Sequence, residues 1–229
     1  MFFPFYDPTI IIVIPAIILA FYAQSKVQGT FQKYLKVNAS RGYTGAQVAR
    51  ELLQREGLAG VRVEQVQGNL TDHYDPRQHV IRLSTPVYSG RSLAALGVAA
   101  HETGHAIQHA TQYAPLNIRH SLVPVANIGS QLGLPLAIFG FFFFGSELLL
   151  HTGIVLFTGA VLFQVVTLPV EFNASSRAMA LLEQGGYLQG NEVQGAKKVL
   201  NAAALTYVAA ALVSILHLVR LLALAGRRR

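Results

Sequence analysis

His101-Glu102-Thr103-Gly104-His105 carries two imidazoles four residues apart, with a carboxylate directly after the first. On an α-helix, positions i and i+4 share a face, so both rings can reach one metal ion. Glu102 projects about 100° away from His101 by the helical period. It can stand beside a metal without ligating it, where a general base is needed. The pattern predicts zinc-activated water attacking an amide. With 8 His in 229 residues, chance alone yields this triplet in roughly one chain in 100. The surroundings add to the signal. Ser92 is a suitable N-cap, and the Ala- and Leu-rich run from Leu93 to His109 reads as one long helix. Without a metal, two His and a Glu on such an apolar helix would each need a separate polar partner.

Composition limits the setting. Apolar residues make up 52% of the chain and charged residues only 13%; mean hydropathy is +0.40. Soluble domains carry about 25% charged residues, so the deficit points to a membrane. The chain has no cysteine, which excludes disulfides and thiolate metal sites. Zinc, if bound, must be held by His and carboxylate. The net charge of +7 sits mostly between apolar runs, a pattern of membrane flanks and not of a nucleic-acid surface.

Four apolar runs are long enough to be read as membrane segments. The first, about Pro8 to Ala23, follows the aromatic residues Phe2, Phe3, Phe5 and Tyr6. It lacks a basic n-region and reads as an uncleaved anchor, with a mild kink expected at Pro15. The second, about Leu122 to Phe144, and the third, about Leu148 to Val170, are separated by Gly145-Ser146-Glu147 and predict a tight helical hairpin. The fourth, about Ala202 to Ala225, contains His217 and Arg220, which must face protein or snorkel. Eleven Lys and Arg lie between runs one and two, and Arg177, Lys197 and Lys198 follow run three. The positive-inside rule puts both segments in the cytoplasm. Run four conflicts: if it spans, Arg227–Arg229 lie outside, so a re-entrant course is the alternative.

The expected organisation is therefore an anchor at 1–23, a cytoplasmic catalytic segment at 24–120, a transmembrane hairpin at 121–170, a cytoplasmic segment at 171–201 and a final apolar helix at 202–229. The fold class is a mainly α membrane protein of three to four spans with a zincin-like α+β catalytic segment. Within 24–120, Thr44 caps an amphipathic helix that stops at Gly57. Val61–Val66 and His79–Ser84 each alternate with period two and predict a β-hairpin ahead of the zinc helix. An edge strand beside a metal could pair with an extended peptide.

Two histidines leave a catalytic zinc one protein ligand short. His109 shares the helix face but lies a further turn away, about 6 Å along the axis. His120 precedes an apolar run with no supporting pattern. His73, beside Asp72 and Asp75, is either a substrate contact or a local turn residue. Glu171, at the end of the third run in Leu168-Pro-Val-Glu-Phe-Asn-Ala-Ser-Ser-Arg, is the strongest candidate.

Together the motif helix, Thr71-Asp-His-Tyr-Asp-Pro and Glu171-Phe-Asn-Ala-Ser-Ser-Arg-Ala resemble the bacterial YugP-like neutral zinc metallopeptidases of the membrane, over nearly the whole chain. The chain is more distantly similar to the HtpX-like gluzincin proteases, in which a glutamate followed by Ala-Asp completes the zinc site. Here those positions are Glu171, Ala174 and Ser175. Serine at 175 removes the carboxylate expected to hold a zinc-bound histidine, and Asn173 is a candidate hydrogen-bond partner in its place.

The resemblance implies a zinc endopeptidase. The resulting expectation is Zn²⁺ on His101, His105 and Glu171, with Glu102 as general base. The partners are a peptide or protein substrate, membrane proteins among them, and the lipid bilayer of the bacterial cytoplasmic membrane. Arg177, His73 and Asn173 are candidate oxyanion donors. The rival readings are a non-catalytic, chaperone-like membrane zinc protein, with His109 closing a four-ligand sphere, and a transporter using His151, His217 and Arg220. Zinc-dependent hydrolysis of an ester or another amide is a third.

Overall fold

The computed structural model describes residues 7–226. The N-terminal aromatic residues Phe2, Phe3, Phe5 and Tyr6 and the terminal Arg227–Arg229 lie outside the described residues. In chain order the elements are α1 (Ile14–Leu35), α2 (Gly45–Arg55), β1 (Arg62–Val66), β2 (His73–Asp75), β3 (Val80–Ser84), α3 (Thr85–Tyr88), α4 (Leu93–Ala110), α5 (Ala114–Ile128), α6 (Leu134–Phe142), α7 (Glu147–Gln184) and α8 (Asn191–Gly226). A 3-10 turn over Pro8–Ile12 precedes α1, and a π turn over Gly129–Gly133 joins α5 to α6. Among the described residues three helical rods are long and apolar enough to cross a membrane: Ala114–Phe142, Glu147–Gln184 and Asn191–Gly226.

Two features depart from the pattern read in the sequence. Pro15 does not kink a helix. It occupies the first turn of α1, where its missing N–H has no intrahelical acceptor to lose. The apolar runs also locate only the apolar part of longer helices: α7 continues fourteen residues beyond Val170, and α8 starts eleven residues before Ala202. α8 has no break, whereas a re-entrant course requires a turn.

The chain divides into two compact units. One takes in the chain up to Ala23, Asn117–Pro169 and the chain from Thr206 on. Its core holds Ala137, Leu150, Ile154, Phe157, Leu221 and Leu224. The expected hairpin is present, with α6 and α7 joined at Phe143–Ser146. It is tight because glycines stand where side chains would collide. A Cβ on Gly133 would lie 2.7 Å from the Phe157 nitrogen, and one on Gly153 would strike the Ala137 backbone. Phe21, Phe144, Val155 and Leu222 are exposed on this unit, as expected of side chains that meet lipid. Arg220 is buried, and its Nε donates to Asp7 Oδ2 at 2.9 Å.

The other unit comprises Gln24–Leu116 and Val170–Leu205. Thr44 caps α2 through a reciprocal capping box: its hydroxyl accepts from the Gln47 N–H at 3.2 Å, and Gln47 Oε1 accepts from the Thr44 N–H at 2.9 Å. Ser92 Oγ accepts from the Ala95 N–H at 3.2 Å and starts α4. Leu52 and Leu53 of α2, Ile81 and Leu83 of β3, and Leu96, Ala99 and Ala100 of α4 pack with Ala178, Leu182 and Val199 in one core.

The strands exist where alternation placed them, but their pairing differs. β1 pairs with β3 in parallel, from Arg62 opposite Val80 to Val66 opposite Ser84. The connection between them holds β2, which pairs antiparallel with β3, giving the order β1-β3-β2. The hairpin is therefore β2–β3. Asp75 Oδ1 accepts from the N–H groups of Arg77 and Gln78, at 2.9 and 3.3 Å, and His79 takes a positive φ of 50°. These local bonds close the turn. Alternation identifies a strand but not its neighbour, and a three-residue strand is too short to show a period.

Candidate metal centre

α4 presents its two histidines on one face, with ring centroids 4.7 Å apart and the planes at 86°. Their Nε2 atoms are 3.1 Å apart. Glu171 enters from α7 and is buried, with Oε2 at 3.3 Å from His101 Nε2 and 3.6 Å from His105 Nε2. One ligand atom from each of the three lies within 4.8 Å of the others, and no other group of three or more such residues is found among the described residues.

These separations suit a tetrahedral zinc, whose ligands at about 2.0–2.1 Å stand roughly 3.3 Å apart. The outer ring nitrogens support the same reading. His101 Nδ1 lies 3.1 Å from Ser175 Oγ, and His105 Nδ1 lies 3.0 Å from Gln108 Oε1. An Nδ1–H donated outward leaves the Nε2 lone pair facing inward. With both rings in that tautomer, two lone pairs stand 3.1 Å apart and a cation between them would relieve their repulsion. Burial works against a positive charge on His105, yet the Glu171 carboxylate bonded to it and the nearby Glu102 charge raise its pKa above the ordinary histidine value. The donor set thus favours positive charge at its centre, and it fits zinc.

Close backbone approach brings the two helices together. Gly104 faces Ala174, and neither position carries more than a methyl group. Glu102 is buried on α4 and stands outside the ligand group, though its charge is felt at both His105 and Asp72. The remaining sequence candidates lie elsewhere. His109 Nδ1 is 2.9 Å from the Tyr74 hydroxyl on β2, and its ring packs against His79. It is not among the converging donors, so a fourth protein ligand from His109 has no support. His73 is exposed, with Nδ1 2.8 Å from the Thr71 carbonyl oxygen, a local turn contact. His120 is not in the group either. Asn173 reaches Gln108 and Arg177 and does not bond a histidine directly.

Two residues were not singled out as histidine partners from the sequence. Position 175 does hold His101, through a hydroxyl and not a carboxylate. Gln108 is fully buried, yet at i+3 from His105 nothing in its surroundings distinguishes it from an ordinary helix glutamine.

A His-His-Glu cluster on two helices, with Glu171 buried and both histidines partly buried, together with three membrane-length helices among the described residues, is the pattern of a membrane metallopeptidase. The chain belongs to the family described as "Putative neutral zinc metallopeptidase", which it matches over residues 9–226. It is 54% identical over 211 residues to the "Putative membrane protease YugP" of Bacillus subtilis (strain 168), covering 92% of this chain and 93% of that one. No solved structure matches it.

Proposed function

We propose that the protein is a membrane-bound zinc endopeptidase of the gluzincin type. In this reading His101, His105 and Glu171 hold the metal and Glu102 is the general base. The observation that carries it is the convergence of the three donors with both outer histidine nitrogens engaged. Zinc, when bound, supplies a Lewis acid that polarises water and the scissile carbonyl. Glu102 accepts the proton of the attacking water on its carboxylate and returns a proton to the departing amine. Ser175 and Gln108 keep the rings oriented. β2, an edge strand with Tyr74 close to His109 of α4, offers its free edge to an extended peptide.

The catalytic segments 24–120 and 171–201 face the cytoplasm, a reading supported by the Lys and Arg they carry. Substrates are peptides or proteins, membrane proteins among them, that reach the site at the bilayer surface.

The test is Glu102→Gln in the purified full chain. Zinc content stays at the wild-type level while cleavage of an unfolded casein-like substrate falls by at least about 100-fold. Undiminished cleavage would sink the assignment.

A further inference from the structure

Gln108 has three polar contacts and no exposed surface. Its Nε2 donates to the Val170 carbonyl oxygen at 2.8 Å and to Asn173 Oδ1 at 3.0 Å. The orientation of each amide follows from its neighbours. Arg177 Nε can only donate, and it donates to Asn173 Oδ1 at 2.9 Å. Oδ1 is therefore the oxygen, and the Gln108 atom facing it must be the NH₂ group. A flipped Gln108 would set its oxygen against two acceptors, Val170 O and Asn173 Oδ1. With both amide hydrogens committed to α7, Oε1 can only accept, and the group 3.0 Å away is His105 Nδ1. His105 must then carry its proton on Nδ1. In the neutral ring that binds a metal, Nε2 is then a lone pair aimed at His101 and Glu171.

We infer that Gln108 is a positioning residue that fixes the tautomer and ring orientation of His105, and that the chain Arg177–Asn173–Gln108–His105 ties this orientation to the helix bearing Glu171. The inference rests on His105 being a metal ligand, as proposed above. One end of Gln108 bonds the ring of one ligand. The other bonds the carbonyl of the residue directly before another, Glu171. A shift of α7 along α4 would therefore disturb both ligands through one side chain. The residue acts on the metal only through His105.

The experiment compares the full chain in detergent with Gln108→Leu, Gln108→Glu, His105→Ala and Glu171→Ala. Zinc affinity is read by chelator competition, and the melting temperature of each metal-free protein is recorded. Gln108→Leu lowers zinc affinity 10- to 100-fold, the range for such partners of ligating histidines. Gln108→Glu keeps an acceptor for His105 Nδ1 but loses the amide donors to α7. If positioning is the role, its zinc affinity stays nearer wild type than that of Gln108→Leu, even where its metal-free melting temperature falls further. A purely structural role predicts the reverse order, with Glu at least as damaging as Leu. Zinc affinity of Gln108→Leu within twofold of wild type, or equal loss in both variants, overturns the inference.

If Gln108→Leu does not fold, the metal-free wild type at alkaline pH, where the ring is neutral, decides the point, because bound zinc would by itself put the proton on Nδ1. Its ¹⁵N-histidine spectrum shows a slowly exchanging Nδ1–H on His105, and a proton on Nε2 overturns the inference. Unchanged zinc binding in both His105→Ala and Glu171→Ala would instead refute the proposed ligand set, a distinct failure.

Discussion

A Cβ placed on Gly104 would lie 2.7 Å from the Ala174 carbonyl oxygen and 3.2 Å from the Ala174 Cα. α4 and α7 thus meet backbone to backbone one residue before His105 and three residues after Glu171. The contact is rigid, because the obstructing atoms are main-chain atoms within a helix. Gly104→Ala would ordinarily stabilise a helix by about 1 kcal/mol. Here overpacking costs about 1–3 kcal/mol and pushes α7 away from α4. The expected result is a zinc affinity at least about tenfold weaker, with Glu171 displaced from the histidines. Wild-type zinc affinity in Gly104→Ala would show that the contact does not hold Glu171 in place.

Asp72 gives the pH dependence. Burial raises its pKa above the ordinary value of 3.8, aided by the Glu102 charge, and the Ser84 N–H and hydroxyl only partly offset this. Between 3.8 and the raised value the folded protein binds more protons than the unfolded chain. This contribution to stability is full below the unfolded pKa and is lost as pH rises through the folded one. Asn at position 72 keeps the acceptor for the Ser84 N–H, which bonds Asp72 Oδ1 at 2.7 Å, but cannot ionise. The melting temperature of Asp72→Asn is therefore expected to decline less than wild type from about pH 4 upward. Parallel curves for the two proteins would contradict the assignment.

Orientation is testable without background because the chain has no cysteine. Gln54 on α2 and Glu147 at the start of α7 are both exposed. In the proposed topology Gln54 is cytoplasmic and Glu147 lies across the membrane. Gln54→Cys is expected to resist an impermeant thiol reagent in intact cells and to react after lysis, whereas Glu147→Cys reacts in intact cells. The opposite pattern inverts the topology.

The Asp7–Arg220 pair links the start of the described chain to α8 within the apolar unit. Removing one partner of a buried pair costs about 3–5 kcal/mol, because the other charge is left uncompensated. Arg220→Met alone is expected to lower the melting temperature in detergent. The double variant Asp7→Leu/Arg220→Met recovers most of that loss. If the double variant is no better than the single one, the pair does not act as a unit.

Several features could be read from short stretches of chain. The i, i+4 spacing puts His101 and His105 on one face, Ser92 and Thr44 start helices, and the last three of the four apolar runs fall in membrane-length rods, while the first, in α1, does not. Each follows from a local period or cap, so neighbours within a few residues suffice. The likeness of the motif helix and of the segment from Glu171 to that of known metallopeptidases was also visible there. Serine at position 175 does remove a carboxylate, and its hydroxyl still lies 3.1 Å from His101 Nδ1, a contact that the loss of the carboxylate does not announce.

Only the tertiary structure decided which segments meet. The parallel pairing of β1 with β3 depends on where the connection folds, and β2 within it is too short to announce itself. The path from His105 through Gln108 to Asn173 crosses 65 residues of sequence between its last two members. The meeting of Glu171 with His101 and His105 depends on the approach of Gly104 to Ala174. Spacing along one helix shows which side chains share a face. What faces them is set by packing between helices far apart in the chain: the sequence marks Glu171 as a candidate by its place after the third apolar run and by resemblance, and the packing brings it to the histidines.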